Sequence, residues 1–525
     1  MATYIAPGVY IEVQDNSAYA APISLTTCGV VGAATKGPVL GKYEGDNNTF
    51  NLPTFITTQQ EFVSIYGNPS PEYQAPYAAL LYLQQGRQLV FGRVVGSGAA
   101  TATKVFDSVL TVSALNEGEW GNAVNVSIVD SFINGAKMLV VYQIIGNQMI
   151  TEETYDGLVT DPTSDRFYDS VINGTSQFVT VAYDTLNTNQ PSNTTGDNPS
   201  VGVMEALADG NDGAPPGDAE IIGEIQSGFA TGLWSYADID TVDISMLSAP
   251  GYTSPAVVTA INTIVGIRGD CLGVIHGPQG LNAQEIVDWH NAAGAFEAGG
   301  STPSVLINNS QMALYWPWVQ IYDAYNAQNV WVPPVGFVLQ AIAYNDQVGE
   351  AWFAPAGVNR ARCGSALALE YRPTLGDREF IYGPGNGNAV NPLVDLPLDG
   401  ITIYGQRTMQ RFPSALDRIN VQRLIFYSAK VLSNATRVLV FEQNDQVLWN
   451  EFKSIVSPYM ADIKARRGVE DYKIICDETT NTPYRRNNNE MYGVIMLIPT
   501  KSAEKIIIQF SVNASGADLS APQLG

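Results

Sequence analysis

The segment from Tyr404 to Asp445, YGQRTMQRFPSALDRINVQRLIFYSAKVLSNATRVLVFEQND, constrains the fold more than any other stretch of this chain. Val421, Leu424, Ile425, Ser428, Val431, Leu432 and Ala435 recur at steps of three and four, which places them on one helical face. Ser414 or Asp417 can cap the start, and Asn434 can take the left-handed conformation that ends a helix. Arg437 to Phe441 then reads as a short buried strand. Arg407, Arg411, Arg418 and Arg423 lie on or just before the helix. Four cations beside an apolar stripe predict a surface that meets something acidic.

Upstream, strand and helix signals alternate, which predicts an α/β layer. Leu25 to Gly32 is expected as a buried strand. Thr57 or Thr58 with Glu61 marks a helix start, with Phe62, Ile65 and Tyr66 on one face. Ala75–Gln85 reads as a second helix and Gln88–Val95 as a strand. The small, flexible composition around Gly96–Thr103 reads as a domain boundary. Beyond it come strands at Ala123–Val129, Met138–Ile145 and Phe178–Tyr183, and a long polar loop over 186–200. α/β character returns with a strand at Val242–Ser248, a helix over SPAVVTAINTIVGIRG and a strand in CLGVIHGP. A β-rich segment inserted into an α/β domain is the simplest organisation. A second C-terminal helix is expected from about Asp445 to Arg467, with a kink at Pro458 and a stop at Gly468. Strands at Tyr472–Asp477 and Met491–Ile498 come after it.

Both ends of the chain look like arms. Val9, Ile11 and Val13 alternate with Tyr10 and Glu12, a strand by period, cut off from the next strand by small residues and Pro22. A strand so isolated must pair with a distant part of its own chain or with another copy. Ile506, Ile508, Phe510 and Val512 share one face of a last strand, KIIIQFSV, before an irregular tail.

Charge is unevenly placed. Of 27 Lys+Arg and 51 Asp+Glu, 19 of each lie in residues 331–525, so the whole net charge of -24 sits in residues 1–330. Direct nucleic-acid binding needs a basic footprint and is not expected. A strongly acidic region fits a solvent-facing surface that keeps a crowded assembly soluble. Cys28, Cys271, Cys363 and Cys476 form no CxxC pair and fit buried, reduced thiols. MATYIAPGVY lacks the basic start and long apolar core of a signal peptide, and no apolar run approaches the roughly 18 residues of a membrane span. The chain is expected to be made and folded in a cytoplasm.

No constellation for catalysis, cofactor or metal rises above its structural alternative. The only histidines, His276 and His290, are 14 apart, so the helical zinc spacing is absent. Neither a phosphate-binding loop nor a GxSxG elbow occurs. Gly383–Asn388 (GPGNGN) lacks the flanking strand and helix and reads as a loop. Asp209 and Asn211 open a calcium-like loop, but Gly213 stands where the next oxygen ligand should be. Arg268-Gly269-Asp270 reads as a helix end. Lys464, Arg466 and Arg467 sit in the last turn of a helix. There they either complement the dipole or meet an acidic partner.

With these residues in view, the chain resembles contractile tail sheath proteins of bacteriophages and related injection machines. The similar segments are PGVYIE (Pro7–Glu12), GVVGAATKGP (Gly29–Pro38), ITTQQEFVSIYG (Ile56–Gly67), Arg93-Val94-Val95, GEWGN (Gly118–Asn122), LADGNDG (Leu207–Gly213) and MLSAPG (Met246–Gly251). They continue with VPPVGFVLQAIAYND, AWFAPAG, YGQRTM, INVQRL and VFEQND. Asp209 stands where a glycine is usual. Each motif alone is weak, but their order and spacing are specific.

The resemblance implies an α+β or α/β multidomain fold, with mixed sheets flanked by helices. Its expected parts are an N-terminal arm (1–24), an α/β domain in two pieces (25–96 and 201–330), an inserted β-rich outer domain (97–200), a core domain facing the tube (331–512) and a C-terminal arm (513–525). It implies a non-enzymatic subunit that polymerises helically around a tail tube and contracts to drive it through the host envelope, without cofactors. Strand exchange between copies would use Val9, Tyr10, Ile11, Glu12, Val13, Ile506, Ile508, Phe510 and Val512. Lys464, Arg466, Arg467, Arg407 and Arg411 are the candidate tube contacts. Expected partners are further copies, the tube protein, and baseplate and terminator proteins, with neither nucleic acid nor membrane insertion, in a virion tail assembled in the host cytoplasm. The alternatives are a bacteriocin or secretion-type sheath and, from another class, a virion-associated enzyme.

Overall fold

The computed structural model describes residues 27–41, 43–44, 49–50, 52–145, 148–194, 204–226, 229–291, 296–297, 301–302, 306–383, 387–505 and 507. Val9–Val13, Ile506, Ile508, Phe510 and Val512 lie outside the described residues, as do the two expected arms. So does part of the expected loop 186–200.

The first elements are β1 (Cys28–Gly32), β2 (Thr54–Ile56), α1 (Gln59–Tyr66), α2 (Gln74–Tyr82) and β3 (Leu89–Arg93). α1 starts where the Thr and Glu spacing says it should. Thr58 Oγ1 accepts from the Glu61 amide at 3.1 Å, and Glu61 accepts from the Thr57 amide and hydroxyl at 2.8 Å each. Those bonds hold the Glu61 carboxyl below its usual range. α1 ends at Gly67, whose φ of 79° and close approach to Thr35 admit no side chain.

Next come β4 (Thr103–Phe106), β5 (Leu110–Ala114), β6 (Val124–Asp130), β7 (Lys137–Ile145), β8 (Gln148–Leu158), β9 (Val179–Tyr183) and β10 (Glu205–Ala206). They form two small antiparallel sheets, ordered β9-β5-β4 and β8-β7-β6-β10. Leu110, Val112, Val126, Ile128, Leu139, Val141 and Tyr168 fill a core of their own between them.

The chain then makes β11 (Met246–Ser248), α3 (Pro255–Arg268), β12 (Leu272–His276), α4 (Ala283–Asn291) and β13 (Met312–Trp316). Ser254 caps α3, Pro255 opens it and Gly269 at φ 67° closes it, so Arg268-Gly269-Asp270 is a helix end. After these come β14 (Val319–Asp323), β15 (Gln328–Val332), α5 (Val335–Val348), β16 (Ala366–Leu369), α6 (Leu375–Tyr382), β17 (Val390–Leu396) and β18 (Gly400–Ile403). β15, β14 and β16 form a three-stranded antiparallel sheet.

One eight-stranded sheet, ordered β18-β17-β13-β12-β11-β1-β3-β2, collects strands from both ends of this span. Its six inner strands run parallel, and β2 and β18 are antiparallel edges. Strand alternation sends Val30, Phe91, Val274 and Tyr315 to one face and Val31, Val90, Ile275 and Trp316 to the other. α2 and α5 cover the first face, and α3 and α4 the second. A parallel sheet buried on both sides is the consequence of helical crossovers. Because β17 and β18 belong to this sheet, the expected break at 330/331 does not coincide with a break in it. α5 carries no apolar stripe for a periodicity search, since its residues are buried nearly all round.

Near the C-terminus lie α7 (Ile419–Thr436), α8 (Gln446–Ala465), β19 (Val469–Ile475) and β20 (Val494–Pro499). The helices fall where the spacing predicts, but three details differ. Ser414 caps a separate 3₁₀ turn, accepting from the Leu416 amide at 3.0 Å, and Asn434 lies inside α7. The expected strand Arg437–Phe441 is a 3₁₀ turn over Arg437–Leu439, followed by Phe441 at φ 74° and fully exposed. The run pairs with no strand among the described residues, and β propensity alone does not make a strand. α8 is capped by Asp445, runs through Pro458 and ends with Arg467, not Gly468, in the left-handed conformation at φ 65°. Gly468 instead approaches Ile463, donating its amide to that carbonyl at 2.8 Å.

Candidate assembly surfaces

The segments singled out for their resemblance meet in space. Arg93, at the end of β3, is 1% exposed. It donates to the carbonyls of Ala34 (2.9 Å), Gly37 (2.7 Å) and Glu117 (2.9 Å). Asn122 clamps Gly210 through both backbone groups at 2.8 and 2.9 Å, and Asp212 accepts from the Glu119 amide at 2.8 Å. GVVGAATKGP, GEWGN and LADGNDG thus form one junction between the large sheet and the small ones. A buried arginine satisfied by carbonyls is a structural tie, since leaving it unpaired would cost several kcal/mol. Asp209 takes φ 66° here, in place of the usual glycine, and Gly213 caps an Asn211 turn; neither is arranged as a calcium loop. Among the described residues no group of three or more His, Cys, Asp or Glu could hold a metal ion.

The arginine-rich stretch turns inward. Arg407 is 0% exposed and donates to the carbonyls of Asn388 (2.9 Å) and Tyr382 (3.2 Å). Arg423 is buried and forks onto Asp346 at 2.9 and 2.5 Å, with a further bond to the Ala351 carbonyl. Arg418 binds Glu504 at 2.6 and 3.0 Å and Asp417 at 3.0 Å. These residues were expected to form one acidic-partner surface. Instead they tie α7 and its approach to carbonyls and carboxylates of the same chain, because a guanidinium beside an apolar core needs internal partners. Arg411 is half-buried, its amide donating to Asn308 at 3.0 Å. A network that sequence reading missed runs beside them. Lys430 on α7 reaches Asp243, the Ile244 carbonyl and Asp270, and Asp270 in turn pairs with buried Arg268. No sequence spacing signals the Lys430 tie, because Lys430 and Asp243 are 187 positions apart.

At the end of α8, Arg466 spans Glu350 (3.0 and 3.1 Å) and Asp462 while stacking 5.2 Å from the Trp352 ring. Lys464 is exposed and 2.8 Å from Asp471. That bond holds the lysine above and Asp471 below their usual ranges. Arg467 is exposed.

β19 and β20 pair only with each other among the described residues. Ile474, Ile495 and Leu497 pack towards Val456, Met460 and Ile463 of α8, whereas Met496 and Ile498 are 53% and 56% exposed. A two-stranded sheet leaves two rows of backbone donors and acceptors unpaired, and is marginal alone.

The histidines are structural. His276 Nε2 accepts from the Gly251 amide and Nδ1 donates to the Gly277 carbonyl, both at 2.9 Å. Burial lowers its pKa to about 4, and burial with nearby Arg411 and Arg407 does the same for His290. All four cysteines are free and buried. No helix among the described residues is long and apolar enough to cross a membrane.

Ties of this kind hold together a mixed α/β fold that ends, among the described residues, in a two-stranded hairpin packed on α8. The phage tail sheath C-terminal domain family matches residues 413–513, from the approach to α7 past the hairpin. The tail sheath protein of Vibrio phage KVP40 is 31% identical over 267 residues, 49% of this chain and 39% of that one. That of Enterobacteria phage T4 is 28% identical over 310 residues, 56% and 46% of the two chains. The aligned region thus spans less than half the length of these curated relatives. In fold the chain is similar to the sheath tail protein of Listeria innocua (TM-score 0.58, 11% identity, 90% and 94% covered). It is likewise similar to the sheath complex of an extracellular contractile injection system in its contracted state (TM-score 0.54, 16% identity, 98% and 99% covered). Residues 413–513 thus match the phage tail sheath C-terminal domain family, and the chain is similar in sequence and in fold to tail sheath proteins.

Proposed function

We propose that this chain is the structural, non-enzymatic subunit of a phage tail sheath, assembled in the host cytoplasm and carried in the virion tail. Copies polymerise helically around a tail tube, between baseplate and terminator proteins, and contract to drive the tube through the host envelope. The observation that carries the reading is the β19–β20 hairpin, a sheet with open edges inside the segment that matches the sheath family. Strands from the arms, Val9–Val13 of one neighbour and Ile506–Val512 of another, complete it by strand addition. Such contacts are heterologous and propagate as an open helix. Residues 97–200 form the outer domain and 331–512 the part facing the tube. Contraction moves nearly rigid subunits about the arm linkers.

Negative-stain electron microscopy of the chain expressed alone at high concentration tests this. Regular hollow cylinders are expected, and deletion of Met1–Ser17 should leave a folded monomer that forms none. Normal cylinders from the truncated chain would refute strand exchange. A sheath of a bacteriocin or secretion-type machine is the second reading, favoured by the likeness in fold to the injection-system sheath over nearly the full length of both chains.

A further inference from the structure

The connection between β19 and β20 is not a slack loop. Asn481 is fully buried at its base, donating to the carbonyls of Asp477 (3.2 Å) and Tyr492 (3.1 Å) and accepting from the Tyr492 amide at 2.6 Å. Arg485 donates to the Thr480 carbonyl at 2.7 Å and stacks 3.7 Å from the Tyr492 ring. Asn444, before α8, donates to the Glu490 carbonyl at 2.8 Å. On this held frame the turn Pro483–Asn487 presents Tyr484, 75% exposed, and Arg486, exposed with its guanidinium 5.9 Å from the Trp449 ring.

Among the described residues neither Arg485 nor Arg486 has a carboxylate within 4.0 Å, whereas Arg268, Arg407, Arg418, Arg423 and Arg466 all do. Tyrosine and arginine on a pre-organised frame are the residue types that dominate protein interfaces, because little side-chain entropy remains to be lost on binding. Stacked guanidiniums with free N–H edges fit carboxylates.

We propose that the Tyr484–Arg486 turn is a docking knuckle for the acidic part of a second copy of this chain. The charge distribution selects the partner, since residues 1–330 carry the whole net charge of -24. This rests on the assembly reading but not on strand exchange, because the knuckle lies at the tip of the hairpin and not on its edges.

Sedimentation of the full chain across salt concentrations tests it, comparing wild type with Arg486→Glu and Tyr484→Ala. Both substituted side chains are exposed, and the Asn481 and Arg485 bonds that hold the turn remain. The wild type should self-associate at low salt and weaken as salt rises, because exposed charge pairs are screened. Each variant should need about tenfold more protein for the same association, as loss of an interface anchor implies, with an unchanged unfolding midpoint. Variants that match the wild type at every salt concentration overturn the proposal, as does a wild type that does not associate at all. Variants that self-associate normally but fail to coat tail tubes would place the knuckle on the tube instead, which also overturns the second copy as its partner. Loss of cylinders on deleting Met1–Ser17, with salt-dependent association retained, would leave the knuckle standing and separate the two readings.

Discussion

The large sheet and the C-terminal hairpin use the same residue types to opposite ends. In β1, β3, β12 and β13 every residue is buried, on both faces. Helices close both sides, and antiparallel strands finish the edges. In β20 the pattern alternates between half-buried and exposed, and Met496 and Ile498 face outwards. The sheet covers its apolar surface on both faces. Among the described residues the hairpin packs one face on α8 and pairs with no further strand, so it contributes less of its own surface to a core than the large sheet does.

The comparison breaks first at aromatic residues. Phe91 sits between Phe62 and Tyr66, with ring centroids 5.0 and 4.6 Å away, and is fully buried. Phe91→Ala should cost the isolated subunit about 4 kcal/mol, from lost transfer energy and the cavity left behind. Ile498→Ala, on the open face, should change it by no more than about 0.5 kcal/mol. Urea unfolding of the monomer measures both. Equal losses would mean that the hairpin is as self-contained as the sheet.

The next effect tests whether the arginines of the family-like stretch are ties or contacts. Arg423→Ala leaves the Asp346 carboxylate buried without its fork partner and should cost about 3 kcal/mol, as loss of one member of a buried pair does. Asp346→Ala should do comparable damage, and the double variant less than the sum of the two. If Arg423→Ala left monomer stability intact and changed only assembly, the side chain would be a contact surface after all.

How much of this is legible in the sequence depends on the range over which each signal acts. Caps are local, so Thr58 with Glu61, Ser254 with Gly269, and Asp445 are readable from spacing alone. α7 and α8 are readable because each has one apolar face. α5 is not, because a helix buried all round shows no period. The run Arg437–Phe441 misleads because β propensity says nothing about whether a partner edge exists. The arginine density is plain in the sequence, but its direction is not. Whether Arg407 and Arg423 face solvent or Asn388 and Asp346 depends on contacts 19 and 77 positions away. The junction around Arg93 is visible only as separate motifs, and the Lys430–Asp243 tie gives no signal at all.

Acid should sharpen the comparison, because both histidines belong to the large-sheet region, His276 in β12 and His290 in α4. Each has a folded pKa near 4 against about 6.5 unfolded. Their neutral forms therefore contribute stability that is fully present above pH 6.5 and is lost as pH falls towards 4, where only the unfolded state has taken up the protons. The loss is on the order of 2 kcal/mol per histidine by pH 5, following the usual 1.36 kcal/mol per unit. Unfolding midpoints at pH 7 and pH 5 should differ less in a His290→Gln variant than in the wild type. Hydrogen exchange at pH 5 should locate the loosening in α4 and β12 before β19 and β20. Exchange that rose first in the hairpin would show that its open edges, not the buried imidazoles, set the acid limit.

The smallest effect concerns the end of α8, where Lys464 and Arg466 lie close in sequence and differ in role. Arg466 is held by Glu350, Asp462 and the face of Trp352, whereas Lys464, exposed itself, pairs among the described residues with the exposed Asp471. Lys464→Glu should leave the unfolding midpoint of the monomer within experimental scatter, because a solvated pair contributes little that water does not replace. Arg466→Glu should lower that midpoint measurably, since it sets a third carboxylate beside two others. The pair of variants therefore separates a structural cation from one free to act between proteins. If Lys464→Glu combined with Arg467→Glu coats tail tubes as the wild type does, neither side chain holds the tube. Arg466 would then be a tie within the subunit, and the tube contact would have to be sought elsewhere on the surface.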